Sequence, residues 1–138
     1  MKAKWYSLFL AILLAVPSVV WAQQRSFEEY EGQPEKYLGQ EVTLGCQSAK
    51  RLNSVPGVDH LLGNNVFFHV YTMGRGTTEW CYVLVPFSEA DSFSRRFNSD
   101  TTNKRFTTRP LRGVFLKFNN LYYLGYKCAT LGSDPKAK

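Results

Sequence analysis

The side chains able to do acid–base or nucleophilic chemistry are few and scattered in this 138-residue chain. It has two histidines, His60 and His69, and three cysteines, Cys46, Cys81 and Cys128. Nucleophilic catalysis by a thiol needs an imidazole within hydrogen-bond reach. Only Cys81 and His69 lie on segments that could pair as adjacent strands. No nucleophile elbow, glycine-rich strand-to-helix turn or HExxH segment accompanies them. Paired carboxylates are also missing: Glu28, Glu29 and Glu31 fall in a polar N-terminal stretch, and Glu89 with Asp91 at a helix start. The cysteines are far apart, without a CxxC or a short His/Cys spacing, so no metal or cofactor is expected. The chemistry favoured is binding without catalysis.

For binding the material is richer. Residues 64–86, NNVFFHVYTMGRGTTEWCYVLVP, read as two strands, Val66–Tyr71 and Glu79–Val85, joined by a loop with Gly74 and Gly76. Strand side chains alternate between faces. One face therefore holds Val66, Phe68, Val70, Cys81, Val83 and Val85, and the other Phe67, His69, Tyr71, Trp80 and Tyr82. Exposed rings stack on bases or sugars, at about 1–3 kcal/mol per base. Lys50, Arg51 and Arg75 would border such a platform and meet phosphate or carboxylate groups. The candidate ligand-binding set is thus Phe67, His69, Tyr71, Trp80, Tyr82, Lys50, Arg51 and Arg75. The competing reading makes these rings a second layer of core, covered by the N-terminal arm or the long loop. A second basic set, Arg95, Arg96, Lys104, Arg105, Arg109 and Arg112, is either a surface for an anionic partner or a solvated face.

These residues need elements to hold them. Met1–Lys4 is basic, Leu8–Val16 is unbroken apolar sequence, Pro17 breaks it, and Val20-Trp21-Ala22 ends in small residues. That is the pattern of a secretory signal peptide over 1–22, whose apolar core is too short to span a bilayer as a stable helix; an uncleaved membrane anchor is the alternative. The expectation is a secreted or periplasmic protein with no transmembrane segment after cleavage. About 116 of the 138 residues remain, one domain by size. Removing Lys2 and Lys4 from 17 basic residues leaves 15 against 11 acidic, a mild excess of +4. In an oxidising compartment two cysteines can pair, and Cys81–Cys128 is the preferred bridge if the two lie on neighbouring strands; buried free thiols are the alternative.

Residues 23–40 form an arm or short helix, with Pro34–Leu38 as one helical turn. Glu41–Gln47 alternates as a half-buried strand, with Gly45 marking a bulge. Ser48–Gly63 is a long connection carrying a Pro56-Gly57 turn and an apolar cluster of Val58, Leu61 and Leu62. After the central hairpin the period changes. Ser88 reads as an N-cap, and Phe87, Ala90, Phe93 and Phe97 recur at helical spacing to about Asn98. Residues 105–118 return to strand, Asn119-Asn120 is a tight turn, and Leu121–Ala129 is the last strand. The tail from 131 to 138 is small, polar and charged, and expected to be disordered.

The order β, β, β, α, β, β resembles the OB-fold, a five-stranded Greek-key barrel. The likeness is carried by Tyr37–Leu44 entering the first strand, Tyr82–Pro86 ending the third, and Leu111–Leu116 with Leu121–Leu124 in the last hairpin. It is a pattern across nearly all of residues 23–138 rather than a specific motif. The chain also looks like exported bacterial OB-fold proteins, which are linked to envelope stress and small-ligand binding. It lacks their tryptophan-containing first strand and acidic turn motifs. The fold class expected is all-β: a small OB-like barrel over 41–130 with one α-helix between strands three and four. The resemblance implies a ligand face on strands two and three, flanked by the loops after strands one and four. The expected function is a non-catalytic binding module for an anionic or ring-containing ligand: nucleic acid, glycan or small molecule. The alternative is a structural or interaction domain that docks another envelope protein through its aromatic face. Export weakens the nucleic-acid option.

Overall fold

The computed structural model describes residues 25–73, 78–97 and 108–132. The expected signal segment, Arg75, the polar loop 99–104, Lys104, Arg105 and the tail beyond 132 lie outside the described residues. Strands β1 (Glu41–Arg51), β2 (Asn65–Met73), β3 (Thr78–Pro86), β4 (Arg109–Phe118) and β5 (Leu121–Gly125) close into a barrel in the order β1-β2-β3-β5-β4. Closure depends on β1, whose first half pairs with β4 (Leu44 opposite Leu111) and whose second half pairs with β2 (Ala49 opposite Val70). A register shift between Cys46 and Ser48 marks the handover, because a bulge bends a strand and increases its twist. The β2–β3 hairpin runs in unbroken antiparallel register from Asn65 opposite Pro86 to Met73 opposite Thr78. β5 completes the circle, parallel to β3 and antiparallel to β4. A helix, Ala90–Phe97, lies between β3 and β4, so the arrangement is the OB-like barrel that the sequence pattern predicts.

Alternation decides what fills it. Val66, Phe68, Val70, Cys81, Val83 and Val85 are all buried in one core with Leu44, Leu111, Phe115 and Leu124. The N-terminal arm is built into this core. Its helix α1 (Phe27–Glu31) is capped by the Ser26 hydroxyl, which accepts from Glu29 N–H at 3.3 Å. Glu28 N–H donates to the Glu79 carboxylate at 2.9 Å, which ties α1 to the start of β3. Phe27 and Tyr30 meet the Phe115 ring at centroid distances of 5.5 and 6.0 Å. After α2 (Pro34–Tyr37) the chain enters β1. At the other end of β3, helix α3 (Ala90–Phe97) presses Phe93 onto Phe68 at 4.7 Å and onto Tyr126 at 4.9 Å.

Several boundaries differ from the sequence reading. β1 continues past Gln47 to Arg51, because the bulge re-aims the strand onto β2 instead of ending it. Ser88 does not cap α3. Pro86 turns the chain directly into a 3₁₀ turn over Phe87–Glu89, and the Ser92 hydroxyl donates to the Glu89 carbonyl instead. β5 stops at Gly125, and Tyr126–Cys128 is a 3₁₀ turn with Lys127 and Cys128 in left-handed backbone. That turn corrects the expected Cys81–Cys128 disulfide. Cys81 points into the barrel while Cys128 is exposed, and all three cysteines are free thiols.

Candidate functional site

The outer face of β2 and β3 divides into two halves. In the first, the loop after β1 folds down and makes a second apolar cluster of Val55, Val58, Phe67, Leu84, Tyr123 and Ala129. The loop is fastened internally. Asp59 accepts from Val55 N–H at 2.7 Å and from the Ser54 hydroxyl at 2.5 Å, and these two bonds, the hydroxyl first, hold its carboxyl below the ordinary value. The chain end is fastened too: Leu131 N–H donates to the Tyr123 hydroxyl at 3.2 Å, and Gly132 N–H to the Leu61 carbonyl at 2.9 Å. Phe67, 1% exposed, therefore belongs to packing rather than to an open platform.

The second half is open. His69 stacks between Trp80 (4.5 Å, 21°) and Tyr82 (5.3 Å, 28°), and Tyr71 leans on Trp80 at 4.7 Å. Register explains the ladder: Tyr71 stands opposite Trp80 and His69 opposite Tyr82, with the His69–Trp80 contact diagonal between them. Trp80 stays 49% exposed, whereas His69, Tyr71 and Tyr82 are half-buried. Lys50 lies opposite His69 across β1 and β2, so its cation borders the ladder. Desolvation first, then the Lys50 charge, lowers the His69 pKa below its ordinary value, so the imidazole is neutral at neutral pH.

Arg51 does not join this group. It pairs in register with the inward residue Phe68, and its guanidinium lies over the Phe87 ring at 5.3 Å. Of the eight residues expected at the site, the structure thus brings together His69, Tyr71, Trp80, Tyr82 and Lys50. It separates Phe67 and Arg51, and Arg75 is outside the described residues. The conceivable Cys81–His69 pair is not formed, because the barrel wall lies between the two side chains: His69 is opposite Tyr82 on the outer face, and Cys81 opposite Val70 inside. Burial raises the Cys46 thiol to about 12 against the pull of Arg109, and burial raises Cys81 well above its ordinary value. Neither supplies a thiolate near neutral pH.

The ladder runs into a groove of about 380 Å³ with Tyr82 on its wall. One lip is Val55–Val58, from the loop after β1; the other is Phe118–Leu121, from the turn between β4 and β5. Both lips are visible in the sequence as turns, at Pro56-Gly57 and Asn119-Asn120, but only barrel closure sets them face to face. Asn119 takes φ 51 there, a left-handed conformation that asparagine tolerates. Among the described residues no cluster of His, Cys, Asp or Glu could hold a metal ion, and no helix is long and apolar enough to cross a membrane. Compared with known proteins, the chain matches no protein-family model, no curated protein and no solved structure.

Proposed function

We propose that the protein is an exported, non-catalytic binding module of the OB-fold superfamily, and that it takes a ring-containing ligand along the Tyr71–Trp80–His69–Tyr82 ladder and into the adjoining groove. The observation that carries this reading is Trp80. It is a large apolar ring left 49% exposed, braced on two sides by His69 and Tyr71 and continuous through Tyr82 with a groove between two loops. A braced ring is already ordered, so a ligand that stacks on it loses little additional entropy. The ligand class favoured is a glycan or small ring compound with few charges. Of the described residues that share this face, Lys50 alone is cationic, whereas nucleic-acid surfaces align several cations along the backbone. His69 is neutral and adds a flat face rather than a charge.

Titration of the purified protein with neutral and anionic oligosaccharides and with oligonucleotides, followed by tryptophan fluorescence, tests this. A neutral or singly charged oligosaccharide is expected to change the emission of Trp80, with little dependence on salt. Isothermal titration calorimetry, which does not need the indole, is expected to show the binding lost in Trp80→Ala. Steeply salt-dependent binding to oligonucleotides alone would overturn the ligand class. Absence of any response, with capture of another envelope protein that depends on Trp80, would favour the second reading, a docking domain. That reading rests on the same exposed ring.

A further inference from the structure

A second cleft lies away from the ladder, where the end of α3, the start of β4 and the turn after β5 converge. It encloses about 550 Å³. That volume falls within the range of small-ligand sites. Arg96, Arg112 and Lys127 line it from three different elements, and Glu41 is the only acid among its lining residues. Gly113 and Gly125 form its floor, where β4, β5 and the terminal turn approach too closely for side chains. A Cβ on Gly113 would lie 2.7 Å from Leu124 Cγ, and one on Gly125 would lie 2.2 Å from the Ala129 carbonyl oxygen.

Two of these cations are positioned: Lys127 by an ion pair, and the Arg96 guanidinium over the Phe97 ring at 5.4 Å. The Arg109 guanidinium donates to the Arg96 carbonyl at 2.5 Å, which occupies a C-terminal carbonyl of α3 that would otherwise repel an anion. Lys127 is anchored to Glu89 at 3.0 Å, and its left-handed backbone (φ 48, ψ 50) sets it at the rim. Among the described residues Arg96 and Arg112 make no ion pair, and both guanidinium groups line the one concave site. Guanidinium pairs suit the tetrahedral oxygens of phosphate better than a single carboxylate. We infer that this cleft binds the phosphate group of a phosphate-bearing small molecule, held by Arg96 and Arg112 with Lys127 at the rim. This site is independent of the proposed aromatic site.

The cleft contains its own reporter. Cys128 lines it and is exposed, whereas Cys46 and Cys81 are buried. Alkylation of Cys128 by neutral iodoacetamide, followed by peptide mass spectrometry at constant ionic strength, reads occupancy directly. Saturating inorganic pyrophosphate is expected to slow alkylation at least fivefold. The R96Q/R112Q variant should raise the half-protecting concentration at least tenfold, and Trp80→Ala should leave it unchanged. Vesicles of phosphatidylcholine containing phosphatidate form a parallel arm. Protection by free pyrophosphate assigns the phosphate to a soluble compound, and protection by vesicles alone assigns it to a lipid headgroup. An unchanged alkylation rate in both arms, or equal protection of R96Q/R112Q, overturns the inference. Should that variant fail to fold, ³¹P resonances of pyrophosphate titrated with the unmodified protein decide the matter: no broadening or shift refutes the site.

Discussion

Phe67 and Trp80 sit on the same outer face of the same hairpin, yet the structure gives them opposite roles, and truncating each separates those roles. Phe67 is 1% exposed and meets Tyr82 and Tyr123 edge-on, both at 5.9 Å, beneath the loop that carries Val55 and Val58. Phe67→Ala removes a fully buried ring and leaves a cavity that the fastened loop is poorly able to collapse into. The expected cost is about 3–5 kcal/mol of folding stability. Trp80 is 49% exposed and contributes two ring contacts, to His69 and Tyr71. Its truncation should cost about 1–2 kcal/mol. Urea unfolding followed by far-UV circular dichroism measures both, and with a slope of about 1–3 kcal/mol per molar the midpoint of Phe67→Ala should fall by more than about 1 M. In ligand binding the order reverses. Loss of one stacking ring weakens affinity by about five- to 150-fold in Trp80→Ala, and Phe67→Ala, assayed where it is folded, stays within a few-fold of the parent. Equal destabilisation by the two substitutions would refute the division of this face into a covered half and an open half.

Three further outcomes follow from the geometry. A neutral thiol reagent should modify one cysteine per native chain, Cys128, and all three after denaturation; a mass two hydrogens short under non-reducing conditions would contradict the free thiols. Gly125→Ala should destabilise by about 3 kcal/mol, since the new Cβ meets backbone at 2.2 Å. Gly57→Ala, in open space at φ 89, should cost only about 1–2 kcal/mol for its left-handed backbone, and a thermal melt of each variant compares them. The folded-state pKa of His69 is lower than its unfolded value of 6.5, so its contribution to stability is present above about pH 6.5 and is lost as pH falls through the folded value. The melting temperature should accordingly drop less in His69→Gln than in the parent between pH 7.5 and 5.5, and identical drops would show that His69 is not desolvated.

The hairpin at 64–86 was legible because β-branched and aromatic residues at period two admit one inward set, and burial of that set closes the barrel. Helix α3 was legible for a similar reason: of Phe87, Ala90, Phe93 and Phe97 at helical spacing, the last three are buried in the helix, whereas Phe87 lies in the preceding turn and is exposed. Ends of elements were less legible. Gly45, which marks the bulge in the sequence, pairs regularly with Pro110; the bulge falls at Gln47, where no local signal separates the end of a strand from the bend that carries β1 on to Arg51. Tyr126 and Cys128 look like strand residues in sequence, and the turn that they occupy is set by contact between Gly125 and Ala129.

For the site, the chain's own pattern determined which rings share a face, because alternation along a strand is a local property. It could not determine which of those rings are left open. Phe67 and Trp80 are equivalent by alternation, and they part company only because a loop begun at β1 and the chain end after β5 both fold over one half of the sheet. The convergence of Arg96, Arg112 and Lys127 is likewise absent from their spacing, since it arises where three elements distant in sequence meet as the barrel closes. Periodicity acts between neighbours in the chain, whereas coverage and convergence depend on long-range packing, and only the closed barrel supplies it.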